Sequence, residues 1–290
     1  MRQLVQHLGT GHTELVDVPA PGPRRGRLLV RATRSLVSLG TERMLVEFGR
    51  GGWLSKARQQ PEKFRAVLAK IRSEGFFATV DAVRSKLAQP IPLGYCHVGQ
   101  VLDAGEVSGF AAGDRVISNS PHAEVVSASP AFSARLPASV SDEQAAFTPL
   151  AAVALQGLRH IDAKSGETVV VMGLGLIGQL AVRLLRARGV TVVGVDPDEA
   201  KRADAKQAGA LVPELGTPLT TLLPGGVAGV LITASTASDE PVNQAARLCR
   251  RRGRVVLVGV TGLTLNRADF YENEVTFQVS RSYGSADASD

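Results

Sequence analysis

Aromatic side chains are scarce in this chain: one Trp, three Tyr and nine Phe make up 4% of 290 residues. The scarcity matters because the chain is basic, with a net charge of +6 and a pI near 9.7. Proteins that hold nucleic acid on a basic surface interleave their cations with stacking rings. No such interleaving is present, and nucleic acid is not an expected partner. Cysteine is as sparse: Cys96 and Cys249 lie far apart and outside any metal-ligand spacing. Neither a disulfide framework nor a cysteine zinc site is expected, and both read as small buried residues. No run of about 18 apolar residues occurs that would span a bilayer, and Met1 to Thr10 lacks the apolar core of a signal peptide. The expectation is a cytoplasmic protein with no membrane partner.

What is present is an ordinary globular composition, 44% hydrophobic and 21% charged, in a chain long enough for two domains. The positive charge is concentrated in two runs, Arg24-Arg25-Gly26-Arg27 and Arg250-Arg251-Arg252-Gly253-Arg254, of a kind that attracts phosphate-bearing ligands. Up to about Val140, β-prone runs at 27–32, 98–104, 115–118 and 123–127 alternate with Pro and Gly turns, the pattern of a partly open β-barrel. Apolar residues at helical spacing from Pro61 to Ala88 predict two amphipathic helices inserted within it, in a segment of about 49–89. Ser141 with Glu143 and Gln144 signals a helix start, followed by a helix over 145–160. Strand-type runs then recur at 168–172, 190–195, 229–232, 254–258 and 274–279, with helices predicted over 176–188 and 239–250. That alternation predicts a doubly wound parallel sheet. The expected domains are therefore 1–140 and 141–290, in the α/β class.

The sharpest motif is Gly173-Leu174-Gly175-Leu176-Ile177-Gly178. It follows the apolar run Val169–Met172 and opens an amphipathic one, so strand, turn and helix occur in the order a dinucleotide fingerprint requires. Gly173 and Gly175 allow backbone N–H groups to approach a pyrophosphate at a helix N-terminus, and Gly178 allows close helix–strand packing. Asp196 ends the next strand 23 residues after Gly173, where a carboxylate accepts from the adenosine ribose diol and repels a 2′-phosphate. NAD(H) is expected in preference to NADP(H). Lys201 is placed along the adenine or near the ribose, and Arg202 is the neighbour that softens the preference. The alternative is a tight turn in a sheet that binds no nucleotide.

The segments Ser38-Leu39-Gly40-Thr41-Glu42-Arg43, Pro92-Leu93-Gly94-Tyr95, Gly113-Asp114-Arg115-Val116, His122-Ala123-Glu124, Ala154-Leu155-Gln156-Gly157 and Gly173 to Leu180 resemble the medium-chain dehydrogenase/reductase superfamily. Within it, the resemblance is to the N-terminal dehydrogenase half of bacterial bi-domain oxidoreductases. It implies a GroES-like catalytic domain with a Rossmann nucleotide domain. It also implies hydride transfer between NAD(H) and a secondary alcohol or ketone, with a small-molecule, sugar-like substrate. The zinc enzymes of that superfamily use a Cys in the first domain and a His from a Gly-His-Glu element. Here Ser38 stands near the first, Gly94-Tyr95-Cys96 replaces the second, and the cysteine-rich structural lobe is missing. No metal site and no zinc are expected.

Without zinc, the substrate oxygen needs hydrogen-bonding or acid/base side chains at the vacated positions: Ser38, Thr41, Glu42 and Tyr95, with His122 from a neighbouring loop. Tyr95 is read as the proton donor or, alternatively, as a half-buried ring tied to backbone. Glu42 is read as the base or as an acid suited to the start of a short helix. His122 is read as an acid/base or as a structural hydrogen-bonding residue. The segment over 49–89 is either a cover for the substrate cleft or a packing appendage. The resemblance further implies that a C-terminal return segment of the catalytic domain is missing here, whether by truncation, in a natural short form whose partner supplies the remainder, or in a protein that has given up catalysis and kept nucleotide binding. It also implies a homodimer through an edge strand near 275–280. A non-catalytic NAD(H)-binding or partner-dependent subunit is the rival reading.

Overall fold

A computed structural model describes residues 1–7, 10–43, 46 and 89–283. The amphipathic segment over 61–88 and the polar end over 284–290 lie outside the described residues. The chain divides into two compact units, one running from Met1 to Pro149 and one beginning at Leu150.

The first unit is built on antiparallel sheets. β1 (Arg2–His7) pairs with β2 (Thr13–Asp17) and with β4 (Pro90–Pro92) in a three-stranded sheet. A five-stranded sheet has the order β7 (Val125–Ala128), β3 (Leu28–Ser35), β5 (His97–Asp103), β6 (Arg115–Ser118), β8 (Ser133–Arg135). The two sheets touch through a bridge between Gln3 and Ala123 and do not close into a single barrel, consistent with a partly open one. β1, β2, β4 and β8 were not legible as strands, being short or half-exposed. Alternation does the packing: Leu28 and Val30 of β3 turn inward with Val101, Val116, Val126 and Ala128 to form one core. A second, smaller core sets Val98 and Ile117 against Ala145 of α1 (Asp142–Ala145) and its C-cap residue Ala146. Ser141 caps α1 with a reciprocal capping box through Gln144.

The predicted single helix over 145–160 is two. α1 stops and α2 (Thr148–Ile161) begins at once, because Pro149 has no N–H to continue the ladder and suits only a helix's first turn.

In the second unit a parallel sheet has the order β10 (Thr191–Val195), β9 (Thr168–Met172), β11 (Val227–Ile232), β12 (Cys249–Leu257), β13 (Thr276–Val279). Its strands β9, β10 and β11 are apolar on both faces. Val169, Val171, Val192, Leu231 and Val256 pack with α2 and α3 (Leu176–Ala187) on one side. Val170, Met172, Val193, Val230, Ile232, Val255 and Leu257 pack on the other, against α6 (Glu240–Leu248), which follows α4 (Glu199–Gln207) and α5 (Leu219–Leu222). α3 is fixed by Gly178, Ala181, Val182 and Leu185 on its buried face. Each of the two larger side chains contributes roughly 1.5–3 kcal/mol by leaving water. A last short helix, α7 (Arg267–Tyr271), leads to β13, an edge strand of the sheet. The strand order turns about β9, with β10 on one side and β11 on the other, so a crevice opens at their carboxyl ends.

The basic runs are largely paired within the chain. Arg25 meets Glu106, Arg250 meets Glu167, and Arg251 and Arg252 share Glu274. Both cysteines are free and buried. Among the described residues no helix is long and apolar enough to cross a membrane.

Candidate functional site

In the second unit the glycine turn stands at the carboxyl end of β9. Gly173 has a φ of +94°, and a Cβ there would lie 2.5 Å from the Ala234 backbone nitrogen, so both conformation and space require glycine. A Cβ on Gly178 would fall 2.0 Å from the Gly173 carbonyl oxygen, which is the close helix–turn approach read from the motif. Gly175 differs: it is the N-cap of α3 with no side-chain cap, and a Cβ on it would meet nothing within 4 Å. The first N–H groups of α3 thus have open space in front of them, the arrangement that receives a phosphate. Leu176 is exposed beside this space, while Ile177 packs against the core.

Asp196 follows β10, is buried, and engages both carboxylate oxygens: Oδ2 accepts from the Leu174 N–H at 2.7 Å and Oδ1 from the Asp198 N–H at 2.9 Å. Lys201 Nζ stands 4.0 Å from Asp196 and 3.4 Å from Asp198. Asp198 caps α4 through Ala200 and Lys201, and those bonds hold its carboxyl below the usual range. Arg202 donates to the carbonyls of Asp196 and Pro197, at 3.2 Å each. Two residues that the sequence reading missed complete the turn. Gln179 donates to the carbonyls of Leu174 and Lys201 at 3.1 and 2.8 Å, and the Thr233 hydroxyl donates to the Gly173 carbonyl at 2.5 Å. Gln179 follows the motif directly and Thr233 follows β11, so the position of the switch point was the signal for both.

In the first unit the five candidates fall into two linked sets. Thr41, Glu42 and Arg43 form a helical turn, and the Tyr95 hydroxyl reaches the Thr41 Oγ1 at 3.4 Å on the exposed side. Glu42 is buried: its Oε1 accepts from the Ser38 N–H at 2.8 Å and its Oε2 lies 3.0 Å from His122 Nε2. Ser38 is buried and contributes its backbone N–H. Glu42 and His122, separate candidates in the sequence, are one pair in the fold. His122 Nδ1 lies 2.9 Å from the Ser35 hydroxyl at the end of β3, a partner that no motif marks.

His122 is held from every side. Its N–H donates to the Leu93 carbonyl and its carbonyl accepts from the Leu4 N–H. Its ring lies on Gly94, whose φ is +103° and whose absent Cβ would sit 2.5 Å from His122 Cδ2. Two further titratable side chains adjoin this pair. Burial, with the Glu42 charge, pushes the Cys96 thiol up to about 12, and burial, with His122 nearby, pulls the His97 imidazole down to about 4. His97 is fully buried beside Ser118.

Both ring nitrogens of His122 and both oxygens of Glu42 are engaged, Cys96 is held as a thiol, and no group of three His, Cys, Asp or Glu able to hold a metal occurs among the described residues.

A family model described as zinc-binding dehydrogenase matches residues 177–290. The D-guloside 3-dehydrogenase of Escherichia coli (strain K12) is 32% identical over 170 residues, which cover 55% of this chain and 49% of that relative. The matched part thus spans about half the relative's length. Among solved structures, the 2R,3R-butanediol dehydrogenase from Bacillus subtilis superimposes with a TM-score of 0.75 at 18% identity, covering 97% of this chain and 84% of that one. A Sinorhizobium meliloti 1021 protein bound to NADP gives a TM-score of 0.74 at 23% identity, covering 97% and 84%. At these identities the structural likenesses speak for the fold. The sequence matches make the chain similar to zinc-binding and alcohol-type dehydrogenases over part of its length, and the structural likenesses give it their fold.

Proposed function

We propose that this chain is a metal-independent oxidoreductase that moves a hydride between NAD(H) and a secondary alcohol or its ketone on a sugar-like small molecule. It would work in the cytoplasm as a homodimer paired through β13. The observation that carries the reading is the glycine turn anchored on Asp196, with the uncapped N-terminus of α3 open before Gly175. Gly173 and Gly175 would admit the pyrophosphate. Asp196 has lone pairs left on each oxygen for a ribose diol, and its charge disfavours a 2′-phosphate. Bound NAD⁺ supplies the acceptor for the hydride.

The chain's own residues handle the substrate oxygen. Tyr95 and Thr41 present a hydroxyl pair that orients it, and Tyr95 Oη passes the proton as the carbonyl forms. Buried Glu42 fixes the turn that carries Thr41 and, with His122, gives the proton somewhere to go. The test is calorimetric titration of the metal-stripped chain with NADH and NADPH, then a screen of secondary alcohols with Tyr95→Phe as control. Selective NADH binding, with turnover that Tyr95→Phe lowers about 100-fold, is the expected result. Absence of binding to either nucleotide would refute the reading. The mutual engagement of Glu42 and His122 favours one rival, a nucleotide-binding subunit without catalysis, which predicts NADH binding with no turnover of any alcohol.

A further inference from the structure

We propose that Glu42, His122 and Ser35 form a proton conduit from the buried turn at 38–42 to the surface of the first unit, with Ser35 as its outlet. The inference rests on the reading above, in which this turn receives the proton of the substrate hydroxyl.

The chain of contacts is continuous: Glu42 Oε2 to His122 Nε2 at 3.0 Å, and His122 Nδ1 to Ser35 Oγ at 2.9 Å. It joins a buried carboxylate to an exposed hydroxyl through a buried ring. Its donors and acceptors alternate. A carboxylate at Glu42 only accepts, so Nε2 carries the ring proton and Nδ1 accepts from the Ser35 O–H. The opposite arrangement has a protonated Glu42 donating to Nε2, with Nδ1–H donating to Ser35 Oγ. Release interconverts them: Glu42 gives its proton to Nε2, Nδ1 gives its proton to Ser35 Oγ, and Ser35 gives its own proton to water. The imidazole gains one proton at Nε2 and loses one at Nδ1, Ser35 Oγ gains one and loses one, Glu42 loses one, and one proton reaches solvent.

The surroundings keep the traffic on this line. The ring cannot swing away, because Gly94 supports its face and Leu4 and Leu93 fix its backbone. The exchange needs a change of tautomer and no rotation. Glu42 Oε1 is occupied by the Ser38 N–H, leaving Oε2 for the relay. Cys96 and His97, the other titratable groups felt by the pair, stay a neutral thiol and a neutral imidazole near pH 7 and do not compete for the proton. A merely structural His–Glu pair has no need of an exposed hydroxyl on its far nitrogen.

The test is Ser35→Ala in the full chain, with Ser35→Thr as the conservative variant. Exchange of the His122 Nε2 proton with water is followed by ¹⁵N-imidazole NMR, and kcat and its solvent deuterium effect are followed in parallel. Exchange should slow about tenfold in Ser35→Ala, the size of effect one lost hydrogen bond sets, and recover in Ser35→Thr. kcat should fall with KM unchanged and the solvent isotope effect should rise. Unchanged exchange in Ser35→Ala would overturn the conduit, whatever the turnover. Slowed exchange in a chain that turns over no alcohol would support the conduit and sink the dehydrogenase reading instead, so the two failures are distinct.

Discussion

Gly94→Ala isolates what the buried pair requires of the backbone around it. At φ +103° an alanine is strained by about 1–3 kcal/mol. Its Cβ would also stand 2.5–2.7 Å from Cδ2, Nε2 and Cγ of His122. The ring has no free direction, since its backbone is bonded to Leu4 and Leu93, so it must slide off Glu42. Separating a buried, hydrogen-bonded pair costs about 3–5 kcal/mol, and part of this is relieved if Glu42 takes up a proton. The expected total is about 4 kcal/mol, a large share of the roughly 5–15 kcal/mol that holds a domain folded. Gly109→Ala is the matched control: its φ is +85° and a Cβ there meets nothing within 4 Å, so only the backbone strain remains. Urea unfolding followed by far-UV circular dichroism compares the two. A Gly94→Ala protein within about 0.5 kcal/mol of Gly109→Ala would refute the claim that His122 is pinned against this glycine.

The open cradle predicts a separation of stability from binding: Gly175→Val should unfold within about 1 kcal/mol of the parent, because a Cβ at this position meets no protein atom within 4 Å. It should still lose NADH affinity at least about tenfold by calorimetry, and retained affinity would mean the phosphates bind elsewhere. His97, neutral in the fold with its pKa lowered to about 4 from an ordinary value near 6.5, stabilises fully above pH 6.5. That contribution is lost as pH falls towards 4, about 3 kcal/mol in all. Urea midpoints across that window should drop in the parent and flatten in His97→Gln; parallel slopes would remove His97 as the cause. Val279, 56% exposed on the edge strand, should matter to assembly: the parent should sediment as a dimer and Val279→Lys as a monomer, and a monomeric parent would end the dimer proposal.

The second unit was the more legible of the two for a physical reason. Strands buried on both faces must be apolar throughout, so β9 announced itself to the residue, 168–172, and the glycine turn behind it followed. The first unit hides its strands. β2 and β8 have no buried residue at all, and β4 contains two prolines, which sequence reasoning rightly takes as breakers. The candidate site divides the same way. Residue type and motif pointed to Glu42 and His122 one at a time, but 80 positions separate them, and no local pattern reports that β1 and Leu93 bring the His122 loop over the turn at 38–42. Ser35 was invisible because a serine ending a strand has no signature; only the ring beside it gives it meaning.

Asp196 shows how one side chain can serve fold and recognition together. A carboxylate waiting only for a ribose would be a buried charge without compensation whenever the nucleotide is absent, which is costly. Here two backbone N–H groups satisfy it permanently, one from Leu174 inside the glycine turn and one from Asp198 at the cap of α4. The same bonds that make the charge tolerable lock the turn and the start of α4 to the end of β10. Gln179 ties that same pair of elements together from the other side through Leu174 and Lys201. The glycine turn, Asp196 and the start of α4 are therefore tied into one hydrogen-bonded network. In the function proposed above, discrimination between NAD(H) and NADP(H) would fall to this charge, which its two backbone bonds hold in place. Arg202, spent on the carbonyls of Asp196 and Pro197, would have to break those bonds before it could offset that charge.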